Sequence, residues 1–202
     1  MQWEKDAGAC SVKAALARSC YYEDADPAYL SLLKLHYGAI ALSEYAACQS
    51  DARMTRFSKA PGMRNIATFG MLDEMRHGQT QLYFPHQLVT LDRQFDWAHQ
   101  AHHSKNRAAI VGRHALDDLM MTRVAVTTSA MLNFAFETGL TNIRMIGLSA
   151  DTANMGDYAF SNLITSIQSD EARHAQIGTL VLEILIRNGR KAEAQQADDI
   201  AA

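Results

Sequence analysis

The five-residue pattern Asp-Glu-x-Arg-His occurs twice, at residues 73–77 and 170–174. Residues three apart share one face of an α-helix. Glu74 with His77, and Glu171 with His174, can therefore each offer a carboxylate oxygen and an imidazole nitrogen to one metal ion. Two such pairs predict two metals. The competing reading is two exposed helical turns stitched by internal salt bridges, and the rest of the ligand set decides between them.

A carboxylate-bound di-metal site in a four-helix bundle takes one Glu from each of two helices and a Glu-x-x-His from each of the other two. An apolar helical segment with an isolated Glu should therefore precede each motif. Both segments exist: Glu44 lies within Tyr37–Cys48, and Glu137 closes the uncharged run Val124–Phe136. A Glu buried in apolar surroundings without a partner costs several kcal/mol, so a positive charge is expected at each.

Four carboxylates and two imidazoles make an oxygen-rich set with one nitrogen per metal. That composition suits iron or manganese better than zinc, whose structural sites favour nitrogen and sulfur. Two divalent ions would balance four glutamates. Without them the carboxylates would repel one another in a low-dielectric core and be driven towards protonation. Asp73, Arg76, Asp170 and Arg173 flank the ligands off their face. Metal-bound His usually passes its other N–H to a carboxylate, so Asp73 and Asp170 are read as orienting the histidines, with the arginines neutralising them. Exposed salt bridges are the alternative.

The elements needed to hold these residues are helices. Asp6–Ser19 reads as an amphipathic helix with Val12, Ala15 and Leu16 on one side. Asp24-Ala-Asp-Pro27 predicts the start of a first core helix running through Glu44 towards Gln49. Pro61-Gly62 marks a turn, and a second core helix is predicted from Met63 to Phe84, disrupted by Pro85. On it Gly70, Glu74, His77 and Gln81 follow three- and four-residue steps. Thr90–Arg113 suits exposed helices, with His86, His99, His102, His103 and His114 in or near it read as solvated or capping. A third core helix is expected from Leu116 to Leu148, with Val126, Ala130, Asn133 or Phe134, Glu137 and Thr141 along one face and a weak point at Gly139. After a connection at Asp151–Gly156, a fourth runs from Tyr158 to Ile186 and stops at Asn188-Gly189. The polar, alanine-rich tail starts another element. Nothing alternates like a strand. The expected fold is all-α, a ferritin-like four-helix bundle with accessory helices, as one domain over residues 1–202.

Composition agrees. At 202 residues and 48% hydrophobic, the chain can bury a substantial core. A net charge of −3 without blocks of like charge gives no reason to expect nucleic acid or an anionic membrane. Cys10, Cys20 and Cys48 lack the spacing of a disulfide framework, structural zinc or an iron–sulfur cluster. No signal peptide or membrane span is evident, which predicts a cytoplasmic setting. Cys48, on the face of Glu44, reads as a small core residue.

The segments His36–Glu44, Phe69–Gln79, Phe136–Asn142 and Gln168–Gln176 resemble the hydroxylase α subunit of bacterial multicomponent di-iron monooxygenases. Within that group the likeness is strongest to toluene and benzene monooxygenases, with alkene monooxygenases near and phenol hydroxylase and soluble methane monooxygenase further. The resemblance implies that Glu44, Glu74 and His77 bind one iron and Glu137, Glu171 and His174 the other, with Glu74 and Glu171 bridging. It implies a catalytic, proton-steering role for Thr141, and makes Asn142 and Gln168 polar neighbours tied to effector response. It places the substrate pocket at Ile40, Ser43, Ala47, Leu116, Phe136 and Met145. Ser43 stands where relatives carry Gly, and Leu116 and Met145 where some carry Phe. Family α subunits extend beyond both ends of this chain, so it is expected to be an internal segment.

The resemblance implies O₂-dependent hydroxylation of an aromatic hydrocarbon such as toluene or benzene. Alkene or isoprene epoxidation and phenol hydroxylation use the same chemistry. An iron-storage protein of ferritin type would need polar iron channels, whereas Ile40, Ala47 and Phe136 sit at helical steps around the ligands; an inert fragment is the third possibility. The sequence has no Gly-x-Gly-x-x-Gly segment for a nucleotide. NADH electrons would come through a partner reductase and ferredoxin. An effector protein and β and γ hydroxylase subunits complete the implied assembly, a dimer of αβγ units.

Overall fold

Asp26 and Pro27 set the start of the first long helix. The Asp26 carboxylate accepts hydrogen bonds from the amides of Ala28 at 2.8 Å and Tyr29 at 3.2 Å, and Pro27 occupies the first turn, where an N–H would lack an intrahelical partner anyway. The computed structural model describes residues 21–96 and 103–201, with positions 6, 7, 10, 11, 13, 14 and 16. Its helices are α1 (Tyr21–Asp24), α2 (Pro27–Phe57), α3 (Pro61–Leu88), α4 (Arg107–Met121), α5 (Ala125–Ser129), a π-helix (Ala130–Asn142), α6 (Ile143–Asn154), α7 (Tyr158–Arg187) and α8 (Lys191–Ala201). No strand occurs among the described residues, and no helix there is long and apolar enough to cross a membrane. Val12, Ala15 and Cys20 of the N-terminal reading, and His99 and His102, lie outside the described residues.

The chain divides into two compact units, Cys20–Thr122 and, with Met1–Ser19, Arg123–Ala202. In the first, α2 and α3 form an antiparallel hairpin across the short connection 58–60. Its register is read from pairs whose numbers rise on one helix as they fall on the other. Tyr37 stacks on Phe84 with ring centroids 5.4 Å apart, and Thr55 meets Thr68 at 3.4 Å. Leu33, Ile40, Met54, Ala67 and Phe84 are buried along the hairpin, and α4 packs on α2. At its far end Lys34 pairs with Asp92, which also accepts from the Tyr22 hydroxyl at 2.8 Å.

Several boundaries differ from expectation: α2 runs past Gln49 to Phe57, α3 begins at Pro61 where the sequence predicts a turn, and α6 runs past Leu148 to Asn154. α3 runs through Pro85 to Leu88, because a proline removes one N–H without preventing the next turn from closing, and the amide of Val89 bonds the Pro85 carbonyl at 3.0 Å. The predicted Leu116–Leu148 helix is instead interrupted at residues 122–124. There Val124 is extended, and the Thr122 carbonyl accepts from Arg53 Nε at 3.1 Å instead of continuing the helix.

In the second unit, α5, the π-helix and α6 run on without a break from Ala125 to Asn154 and pack antiparallel to α7. Ser129, Asn133, Glu137, Thr141 and Met145 are all buried, at a strict four-residue step. In an α-helix that step overshoots a turn by about 40° and would carry the row round to solvent. The wider i→i+5 winding keeps it on one face. The weak point expected at Gly139 falls inside this segment. Gly156, at φ 84°, makes the turn before α7, and Asp157 caps α7 through the Phe160 amide at 2.9 Å. Gly189, at φ 72°, ends α7, and the tail becomes α8.

Candidate metal centre

Each unit assembles three potential ligands. In the first, α2 supplies Glu44 and α3 supplies Glu74 and His77, with one donor atom from each within 4.8 Å of the others. In the second, the π-helix supplies Glu137 and α7 supplies Glu171 and His174, again within 4.8 Å. None of the six is more than 2% exposed. Exposed salt-bridged turns are thereby excluded for these positions. Each set is two carboxylates and one imidazole, almost wholly buried, a donor set that fits a divalent cation.

Antiparallel pairing brings the single Glu of one helix beside the Glu-x-x-His of its neighbour. On α3 the three-residue step aligns Glu74 and His77, with His77 Nδ1 3.6 Å from Glu74 Oε1. Gly78 follows, and its missing side chain lets α2 come close: a Cβ there would stand 3.6 Å from Glu44 Cβ.

The flanking charges pair within their own helices. Arg76 contacts Asp73 at 3.3 Å, and Arg173 contacts Asp170 at 3.1 Å. Asp170 is buried and Arg173 half exposed, so the arginine neutralises a carboxylate facing inward.

Thr141 lies one turn past Glu137, fully buried. Its hydroxyl is 3.0 Å from the Phe136 carbonyl, 3.1 Å from the Glu137 carbonyl and 3.4 Å from Glu137 Oε2. It thus both satisfies the wide helix and stands beside a candidate ligand. Gln168 Nε2 donates to Asn142 Oδ1 at 2.9 Å, so two residues singled out in the sequence are joined across the second unit.

The pocket residues divide. Ile40, Ala47 and Leu116 are buried in the first unit and Met145 in the second, while Ser43 and Phe136 are half-buried. Ser43 turns its hydroxyl to the Ala39 carbonyl at 3.2 Å. Burial pushes the Cys48 thiol above its ordinary range, helped by the nearby Glu74 and Asp51 carboxylates. His86, His103 and His114 are exposed, in keeping with solvated roles.

Two residues escaped assignment from sequence. Gln81 Nε2 donates to Glu44 Oε1, and Gln81 Oε1 lies 2.9 Å from His36 Nε2, all three side chains being buried. Gln81 sits seven residues after Glu74 and His36 eight before Glu44, both helical repeats that place them on the ligand faces.

Residues 1–189 match the profile of the methane/phenol/alkene hydroxylase family. The chain is 36% identical over its whole length to the oxygenase component subunit alpha of the alkene monooxygenase system of Xanthobacter autotrophicus, spanning 40% of that protein. It is 30% identical over 92% of its length to the oxygenase component of phenol 2-monooxygenase from a Pseudomonas species, spanning 36% of it. It is 23% identical over 98% of its length to the hydroxylase large subunit of propane 2-monooxygenase from Mycolicibacterium smegmatis, spanning 37% of it. The chain therefore covers well under half of each of these relatives. A profile match of that extent, joined to relatives at 30% identity or more over nearly all its residues, means that the chain belongs to the methane/phenol/alkene hydroxylase family and shares its all-α, ferritin-like fold class.

Proposed function

We propose that this chain carries the di-iron centre of the oxygenase component of a multicomponent monooxygenase, acting as one domain in the cytoplasm. The observation that carries the reading is the pair of buried three-residue sets, Glu44, Glu74 and His77, and Glu137, Glu171 and His174, in a family of hydroxylases. Each set would hold one iron, with Glu74 and Glu171 as bridging carboxylates by family resemblance. Bound iron would supply activation of O₂, with one oxygen atom entering the substrate and the other leaving as water after uptake of two electrons and two protons.

The chain's own residues provide the setting. The glutamates and histidines fix and charge-balance the metals. Asp73 and Asp170 would orient the histidines, and Arg76 and Arg173, paired with them, offset the added negative charge. Thr141 holds a proton 3.4 Å from Glu137 Oε2, where a proton is needed as oxygen is reduced. Ile40 and Ala47, four before and three after Glu44, keep water from the reacting atoms.

The substrate is a small hydrocarbon or a phenol. Relatives named for alkene and phenol support epoxidation of an alkene or hydroxylation of a phenol ahead of toluene or benzene, which rests on motif resemblance. Partner proteins supply the remaining parts: β and γ subunits, an effector, and a ferredoxin and reductase passing electrons from NADH.

Metal analysis after anaerobic reconstitution with Fe²⁺ should give two irons per chain, and Glu171→Ala should lower both together. One zinc, or no metal, overturns the reading. With the complete complex, propene, phenol and toluene compared side by side decide the substrate class.

A further inference from the structure

The two ligand sets are built alike in their ligands and unlike in what surrounds them. Seven residues after Glu74 comes Gln81, and seven residues after Glu171 comes Gly178. Gln81 is buried and its amide reaches Glu44. Gly178 has no side chain, and its place is taken by the ring of Phe134. At this position α3 therefore carries an amide that holds its unit's lone Glu, and α7 carries no side chain.

The polarity of this contact follows from its chemistry. A carboxylate only accepts, so the group of Gln81 facing Glu44 must be the NH₂. The amide oxygen then faces His36 Nε2 at 2.9 Å, and that nitrogen must be the donor. His36 thus carries its proton on Nε2 and prevents the amide from turning over. Its ring is itself fixed edge-on against Tyr37, centroids 5.2 Å apart, and Tyr37 stacks on Phe84. The order His36 to Gln81 to Glu44 is one directed chain of hydrogen bonds among buried side chains.

We propose that Gln81, oriented by His36, is a positioning residue for the metal set of the first unit, committing Glu44 Oε1 to a hydrogen bond and so fixing the orientation of the carboxylate. This deepens the di-iron reading and rests on it. The relay holds the Glu44 carboxylate in one orientation and lowers the charge that it can donate. In the second unit the lone Glu137 is met instead by the Thr141 hydroxyl at 3.4 Å from Oε2, a different donor on a different element, so the two metal positions differ in their surroundings.

The test is anaerobic Fe²⁺ titration of the full chain in its complex, followed by near-infrared circular dichroism of the ferrous centre, which reports each iron's ligand geometry. Gln81→Met keeps the shape and removes the donor. It should weaken one of the two Fe²⁺ sites by about 10- to 100-fold, the usual effect of losing an outer-shell partner, and shift one set of ferrous bands. His36→Leu should do the same more mildly, His36→Gln, which can still donate, should restore wild-type behaviour, and the double variant Gln81→Met with His36→Leu should be no worse than Gln81→Met. Equal weakening of both sites, additive effects, or Fe²⁺ affinities within twofold of wild type overturn the relay. If Gln81→Met does not fold, the contrast between His36→Leu and His36→Gln decides alone. A wild-type protein that fails to take up two Fe²⁺ refutes the di-iron reading itself, an outcome distinct from an unchanged variant.

Discussion

A Cβ placed on Gly178 would stand 2.5 Å from Cδ2 of Phe134 and 3.3 Å from the Phe134 backbone nitrogen. The π-helix and α7 therefore touch through backbone and ring with no room for a methyl group. Glycine is required here for close approach, since it lies within a regular helix.

Gly178→Ala should consequently destabilise the protein by about 1–3 kcal/mol, the usual range for overpacking. Thermal unfolding checks it, and an unchanged Tm would show that Phe134 moves aside at no cost. Gly139→Ala is the control, because a Cβ there meets nothing within 4 Å.

Thr141→Val keeps the side-chain shape while removing the hydroxyl beside Glu137 Oε2. Iron content should stay at the wild-type level, and turnover in the complete complex should fall by roughly 10-fold or more if the proton is used. Loss of iron would instead mean that its bonds to the Phe136 and Glu137 carbonyls hold the π-helix together.

Asp92 gives a pH dependence of stability. Its carboxyl is held below the usual range, first by the Lys34 ammonium, then by the Gln94 amide at 2.9 Å, with the Tyr22 hydroxyl adding to it. A carboxyl whose folded pKa is depressed contributes stability that is present above its unfolded value near ~4 and lost as pH falls through the folded value. Asp92→Asn should cost on the order of 0.5 kcal/mol at pH 7, the scale of a partly exposed ion pair. The difference from wild type should vanish in denaturant titrations at strongly acidic pH; a constant difference from pH 7 to pH 2 would sink the assignment.

Cys48 should resist alkylation in the native state while exposed Cys10 reacts. The thiolate is the nucleophile, and burial first, with Glu74 and Asp51 nearby, disfavours it. Labelling with iodoacetamide at pH 8 followed by peptide mapping reads both sites. Cys48 modification as fast as that of Cys10 would contradict its burial.

Most of the helices and the candidate ligand residues were legible in the sequence alone, because both are local. Glu74 with His77 and Glu171 with His174 follow from a three-residue step, and Glu44 and Glu137 stand out as lone charges in apolar runs. The start of α2 was equally legible, since Asp26 and Pro27 act on neighbouring amides. Tertiary structure decided what depends on a second element. The break at residues 122–124 is set where Arg53, far away in sequence, takes the Thr122 carbonyl. The π-helix is legible only as a row of buried residues at four-residue steps, and burial is a property of the packed chain. His36 and Gln81 sit at ordinary helical repeats and look like any core polar residues until the antiparallel register of α2 and α3 brings them together beside Glu44. A hydrogen bond across 45 residues has no local signature, because its two ends are chosen by packing and not by spacing.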